Sequence, residues 1–141
     1  MTGENANQGE SVTMLTFRNP DGAPAPASRY SQSVEIPAGA RWLQISGQIG
    51  VRPDGSVCEG AEAQMEQAWS NLIANLRAAG MGPEDLVKVT VFLTRTEDIP
   101  VSRSVRERML QGAAPASTLL VVAGLASPDF LFEVEGIAAK A

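Results

Sequence analysis

Glu133 and Glu135 stand two apart in the stretch Phe130 to Ala138. In a strand successive side chains alternate faces, so the two carboxylates share one face about 7 Å apart, while Phe132 and Val134 turn the other way into a core. Two readings follow: a solvated sheet face, or a carboxyl group that moves a proton or places a water at a cleft. A raised carboxylate pKa separates them. Ser46-Gly47-Gln48 ends an earlier strand. It is either a β-bulge, where glycine relieves crowding, or a backbone surface that a ligand can approach closely. Tyr30, the one tyrosine, lies in the polar run Ser28-Arg29-Tyr30-Ser31-Gln32 and reads as a packed aromatic with a wet hydroxyl. Arg103, Arg106 and Arg108 crowd one helix. Arg106 and Arg108 read as a solvated face, and Arg103 falls at the margin of a broad apolar stripe. Cys58 follows a turn without a basic neighbour to lower its thiol pKa, so it reads as structurally incidental.

Other chemistries are excluded by composition. The 141 residues include no histidine, which removes Ser-His-Asp and Cys-His machinery and His-ligated zinc. A single cysteine permits neither an internal disulfide nor a CxxC pair. There is no GxGxxG and no GKS or GKT phosphate loop. A net charge of −5, from 11 Lys+Arg against 16 Asp+Glu, argues against a nucleic-acid partner. Aromatic residues at 5% leave no base-stacking row. No apolar run approaches the roughly 20 residues of a membrane span, and the N-terminus lacks the basic start of a signal peptide. The expectation is a soluble, cytoplasmic protein without a membrane partner.

These groups must be held by elements that the pattern predicts. Residues 1–12 are expected to form a flexible tail and residues 13–141 a single domain. Strands are predicted at Val12 to Arg18, Ser33 to Ile36, Arg41 to Ser46, Leu86 to Leu93, Ser117 to Ala123 and Phe130 to Ala138. The strand from Ser117 is expected to be buried and apolar on both faces. Met65, Ala68, Trp69, Leu72, Leu76 and Ala79 recur at three-four spacing, which predicts a helix from Ala61 to Ala79 stopped by Gly80 and Gly82. Thr96 to Asp98 offers capping side chains for a second helix, with Pro100 in its first turn and its end near Gln111. Pro53-Asp54-Gly55 predicts a tight turn. The order gives an α+β sheet with helices on one face.

Tyr30-Ser31-Gln32, Ser46-Gly47-Gln48-Ile49, Lys88 to Leu93, Pro115-Ala116-Ser117-Thr118 and Glu133 to Ala138 follow one another in an order and spacing that resembles the RidA/YjgF family. The resemblance covers about Arg18 to Lys140. It implies a chorismate-mutase-like α+β fold, a six-stranded mixed sheet with two helices on one face. It also implies a homotrimer whose sheets form a central barrel, with ligand clefts between subunits. Archetypal members hydrolyse reactive enamines and imines such as 2-aminoacrylate and 2-iminopropanoate, releasing ammonia and a 2-keto acid, and need no cofactor. The family's cleft tyrosine matches Tyr30, its Ser-Gly pair matches Ser46 and Gly47, and its water-placing acid matches Glu133. Leu119 stands where the family offers a backbone carbonyl.

This chain departs from the family pattern at the P-A-R-S motif, where Ser117 replaces the carboxylate-binding arginine. A serine hydroxyl gives one neutral donor in place of a bidentate charged clamp, a loss of roughly 1.5 to 3 kcal/mol. On the second helix, Arg103 stands near where the family commonly has asparagine. It is either a relocated guanidinium or a surface arginine. The resemblance therefore implies a trimer acting on a small reactive metabolite by enamine or imine hydrolysis, or by a related water addition, with Glu133 and Ser117 as candidate catalytic residues. Tyr30, Ser46, Gly47, Arg103 and Leu119 are the candidate substrate contacts. The alternative is a non-catalytic module that binds a small ligand or a regulatory partner on the same trimer.

Overall fold

A computed structural model describes residues 12–141; all of the expected N-terminal tail except Val12 lies outside the described residues. Six strands and two helices follow in the order β1 Thr16–Arg18, β2 Ser33–Glu35, β3 Arg41–Ile49, α1 Ala61–Ala78, β4 Leu86–Leu93, α2 Ile99–Leu110, β5 Ala116–Val121 and β6 Phe132–Lys140. β3, β6, β4 and β5 form a mixed sheet in that spatial order, with β4 and β5 parallel and the other pairs antiparallel. β1 and β2 make an antiparallel ribbon. A parallel bridge between Ser31 and Ala116 ties the segment before β2 to the free edge of β5. The six expected strands are thus present, four in the main sheet and two in the ribbon.

Strand period two sorts the side chains. Phe132, Val134 and Ala138 of β6, Val89, Val91 and Leu93 of β4, and Ile45 of β3 enter one core with Met65, Ala68, Trp69, Leu72 and Leu76 of α1 and Val105 and Leu110 of α2. The rings of Trp69 and Phe132 pack tilted, 6.5 Å between centroids. Both helices therefore lie on one face. The other face carries Gln44, Lys88, Thr90, Phe92, Glu133, Glu135 and Ile137. α1 ends as its glycine predicts: the Gly80 N–H donates to Arg77 O and the Met81 N–H to Leu76 O, closing a Schellman motif.

Three local expectations are corrected. β5 runs Ala116–Val121 at a sheet edge, and Leu120 and Val121 are exposed in the single chain, so it is not buried on both faces. An apolar run reports what a strand would bury, but a single chain has nothing beyond this edge on the open face. Thr96–Asp98 form a 3-10 turn, and the Asp98 carboxylate accepts from Arg95 Nε at 2.8 Å instead of capping α2. A charged partner three residues away outcompetes the backbone amides for the carboxylate. Arg106, expected on a solvated face, is 5% exposed. It follows Val105 on the side of α2 that also buries Ser102 and Leu110, because the buried stripe is wider than the Val101, Val105 and Met109 row.

Gln64 fixes the helix layer to the loops at one end of the sheet. Its Nε2 donates to Cys58 O at 3.1 Å and Asp129 O at 2.9 Å, and its Oε1 accepts from the Leu131 N–H at 2.8 Å. Gly50 makes this approach possible, since a Cβ there would fall 2.4 Å from Gln64 Cα. Gln64→Met keeps the volume but takes the partner from one buried carbonyl and from a partly buried carbonyl and amide. It is expected to destabilise the chain by about 3 kcal/mol or more, read as a lower urea midpoint with an unchanged m-value.

Candidate functional site

β3 and β6 pair in register from Arg41↔Lys140 to Ile45↔Gly136, and pairing resumes at Gln48↔Val134. Ser46 and Gly47 occupy the irregularity between these segments, so the bulge reading of this motif holds. The bulge sets bare backbone against an acid. A Cβ on Gly47 would lie 1.7 Å from Glu133 Oε2 and 2.7 Å from its Cδ. The carboxylate fills the space that any other residue at 47 would occupy. Gln48 turns its Nε2 back to Ser46 O at 3.0 Å, and Ser46 itself is exposed.

Glu133 is partly buried, between Ile49 of β3 and Phe92 of β4. Removal from water raises its pKa, and the charge of Glu135 on the same face raises it further. The shift is in the direction that separates Glu133 from a fully solvated carboxylate. Glu135 is exposed and borders a shallow recess of about 300 Å³ shared with Gln44, Lys88 and Thr90. Across β4 and β5, Lys88 Nζ donates to Thr118 Oγ1 at 2.6 Å.

The other candidates gather elsewhere. Ser117 pairs with Val89 and Leu119 with Val91, so both point to the helix side of the sheet. Leu119 packs against the core there. Tyr30 is brought to the start of β5 by its neighbour: the Ser31 N–H donates to Pro115 O at 3.1 Å and Ser31 Oγ to Ala114 O at 2.6 Å. The Tyr30 hydroxyl accepts from the Ala27 N–H at 3.3 Å, which closes the loop on itself. One chain therefore brings Ser46, Gly47 and Glu133 together on the open face. It places Ser117 and Leu119 on the helix side of the β5 edge and fastens the Tyr30 loop at the start of that strand, and it does not join the two groups.

Arg103 is exposed on α2. The guanidinium that reaches the Tyr30 loop belongs to Arg106, whose Nη2 donates to Ser28 Oγ at 2.7 Å. The signal that could have found it is the spacing Ser102, Val105, Arg106, Met109 and Leu110, which puts residue 106 inside the helix stripe that faces the core. Among the described residues no group of His, Cys, Asp and Glu could hold a metal ion. Among the same residues no helix is long and apolar enough to cross a membrane.

The sequence matches the family model described as Endoribonuclease L-PSP over residues 21–140. A RutC family protein of Aquifex aeolicus is 44% identical over 73 residues, 51% of this chain and 56% of the relative. The 2-iminobutanoate/2-iminopropanoate deaminase of Mus musculus is 34% identical over 120 residues, covering 84% of this chain and 86% of the relative. Among solved structures, the Rid-family protein YyfB of Yersinia pestis superposes with a TM-score of 0.80 at 28% identity, covering 88% of this chain and 97% of that one. With nearly the whole fold and most of the sequence accounted for in this way, the chain belongs to the RidA/YjgF family.

Proposed function

We propose that the chain forms a homotrimer and hydrolyses a small enamine or imine in a cleft between subunits, with Glu133 handling the proton. The observation that carries this reading is the Glu133 carboxylate, partly buried against the Gly47 backbone with its pKa raised. A relative named for deaminating 2-iminobutanoate and 2-iminopropanoate supports the reaction class. In that chemistry water adds to the C=N carbon. The Glu133 carboxylate accepts one proton from the attacking water and passes it to nitrogen, giving a carbinolamine; it then takes the carbinolamine hydroxyl proton and delivers it to nitrogen as the C–N bond breaks, releasing ammonia and a ketone. Tyr30 closes the cleft, and Ser117, the Leu119 carbonyl and the backbone at Ser46-Gly47 position the substrate.

The placement of these groups supports an assembly of chains. Glu133 and the Ser117–Tyr30 group lie on opposite faces of one chain, so a single small molecule meets both only where two chains abut. The open face also exposes Trp42 at 57% and Leu120 at 44%, which favours its burial against other copies. Sedimentation equilibrium is expected to give a trimer at micromolar concentration. A stable monomer would remove both the assembly and the intersubunit cleft.

Glu133→Gln is expected to lower kcat on 2-iminopropanoate, or on whichever imine proves to be turned over, by about 10²- to 10⁴-fold. In the wild type the acidic limb of kcat/KM should lie above the ordinary carboxylate range, because water must be met by the ionised form and the folded pKa is raised. Stability has the opposite sign. The folded chain holds this proton more tightly than the unfolded chain, so the contribution of Glu133 is most favourable below the unfolded pKa and declines as pH rises through the folded one. Glu133→Gln should therefore leave stability at pH 7 unchanged or raised, measured by urea titration at several pH values. A wild-type protein that binds a small ligand, turns over no imine and keeps its affinity in Glu133→Gln would instead be the non-catalytic module, the reading favoured by the neutral Ser117.

Gly47→Ala tests the close approach by itself. The added methyl must displace the Glu133 carboxylate by more than 1 Å, so kcat is expected to fall about 10²-fold while circular dichroism stays that of the wild type.

A further inference from the structure

Arg106 is buried without an ion pair among the described residues. It is 5% exposed, its Nε has no hydrogen-bond partner, and it takes part in none of the ion pairs among the described residues. The neighbouring carboxylate of Glu107 is half-exposed and lies 3.7 Å from Arg29. Its one side-chain partner, Ser28 Oγ, is neutral. Burial first and the charge of Arg103 second lower its pKa, and Glu107 and Tyr30 offset this only in part. Removing an unpaired charge from water costs several kcal/mol, so a fold that keeps one buried has a use for its field. The location indicates the use. Ser28 and Tyr30 lie in the loop that Ser31 fastens to Pro115 and Ala114, at the start of the strand where Ser117 points to the same helix side.

We propose that Arg106 is the anion anchor of the cleft: its guanidinium takes the carboxylate of a small substrate, supplying from α2 the charge that Ser117 cannot supply from β5. The inference rests on the cleft proposed above and names the residue of this chain that holds the charged end of its substrate. The Nε–H and an Nη–H of a guanidinium form a parallel donor pair matched to the two oxygens of a carboxylate. Here Nε is the unpartnered donor, and Nη2 is held only by a hydroxyl that can release it. Arg106 touches the substrate's carboxylate, not the reacting carbon, so it sets specificity and affinity while Glu133 handles the proton. The loop Ser28 to Tyr30 becomes the cover of the anion site, and Tyr30 closes over a molecule already held at its charged end.

The test uses the full chain with pyruvate, the keto-acid product of 2-iminopropanoate, and its uncharged amide as probes. The Arg106 Nε–H signal in ¹⁵N-labelled protein is expected to shift on titration with pyruvate and to stay in place with pyruvamide. Arg106→Lys keeps the charge but loses the paired donors, and it is expected to weaken pyruvate binding about tenfold to a hundredfold. Arg106→Gln should weaken it further, and Arg108→Gln, an exposed change on the same helix, should not. Unchanged pyruvate affinity in folded Arg106→Lys and Arg106→Gln overturns the proposal. So does an Nε–H signal that ignores saturating pyruvate in the wild type, which decides the matter should both variants fail to fold. Loss of turnover in Glu133→Gln with pyruvate binding intact leaves Arg106 in place. Imine turnover that is insensitive to Glu133 while the Arg106 signal still answers to pyruvate refutes only the catalytic reading.

Discussion

A carboxylate rests against bare backbone in this chain, and much of the open face is organised around that contact. β6 runs between β3 and β4, so every side chain on it is committed either to the core or to the open face. Phe132, Val134 and Ala138 take the core, which leaves Glu133 no direction except toward β3. There the bulge at Ser46-Gly47 interrupts the ladder, and the missing Cβ of Gly47 gives the carboxylate its place. Partial removal from water and the second charge of Glu135 then raise its pKa. Register, bulge and titration are one arrangement: a shift of one residue in the β3–β6 pairing would carry Glu133 into the core and expose Phe132 and Val134.

The helix layer is placed by polar groups as much as by packing. Gln64 joins α1 to the loops around Cys58 and Asp129, and Gly50 lets the helix backbone approach the sheet. At the opposite corner, Arg106 joins α2 to the loop of Ser28 and Tyr30. The two differ in what they leave unfinished. Gln64 uses both ends of its amide, whereas Arg106 keeps a buried N–H without a partner. A satisfied polar group inside a fold needs no function beyond cohesion, but an unsatisfied charged one calls for an account.

The P-A-S-T motif separates this chain from the pattern its family resemblance supplies. With serine at 117, β5 itself offers no positive charge at this position. α2 offers two arginines, and their surroundings differ: Arg103 is exposed, while Arg106 is enclosed and directed at the Tyr30 loop. Water screens the charge of the exposed one far more than that of the enclosed one.

The sequence by itself determined the elements, the fold class and the shared face of Glu133 and Glu135, since each depends on local periodicity: three-four spacing for α1, alternation for β4 and β6, glycine at the end of α1. It also carried the family, in motifs whose order can be read without coordinates. Tertiary structure decided what periodicity does not encode. β5 is legible as an apolar strand, but its place at a sheet edge depends on which strands pair. Arg106 is legible as an arginine on a helix, but its burial depends on how wide a stripe of α2 the sheet and the Ser28 loop cover. The contact between Gly47 and Glu133 joins residues far apart in the chain, and only the pairing of β3 with β6 creates it. The separation of Glu133 from Ser117 has the same origin: the strand between them sets which face each one presents, and that is a property of the sheet, not of either segment.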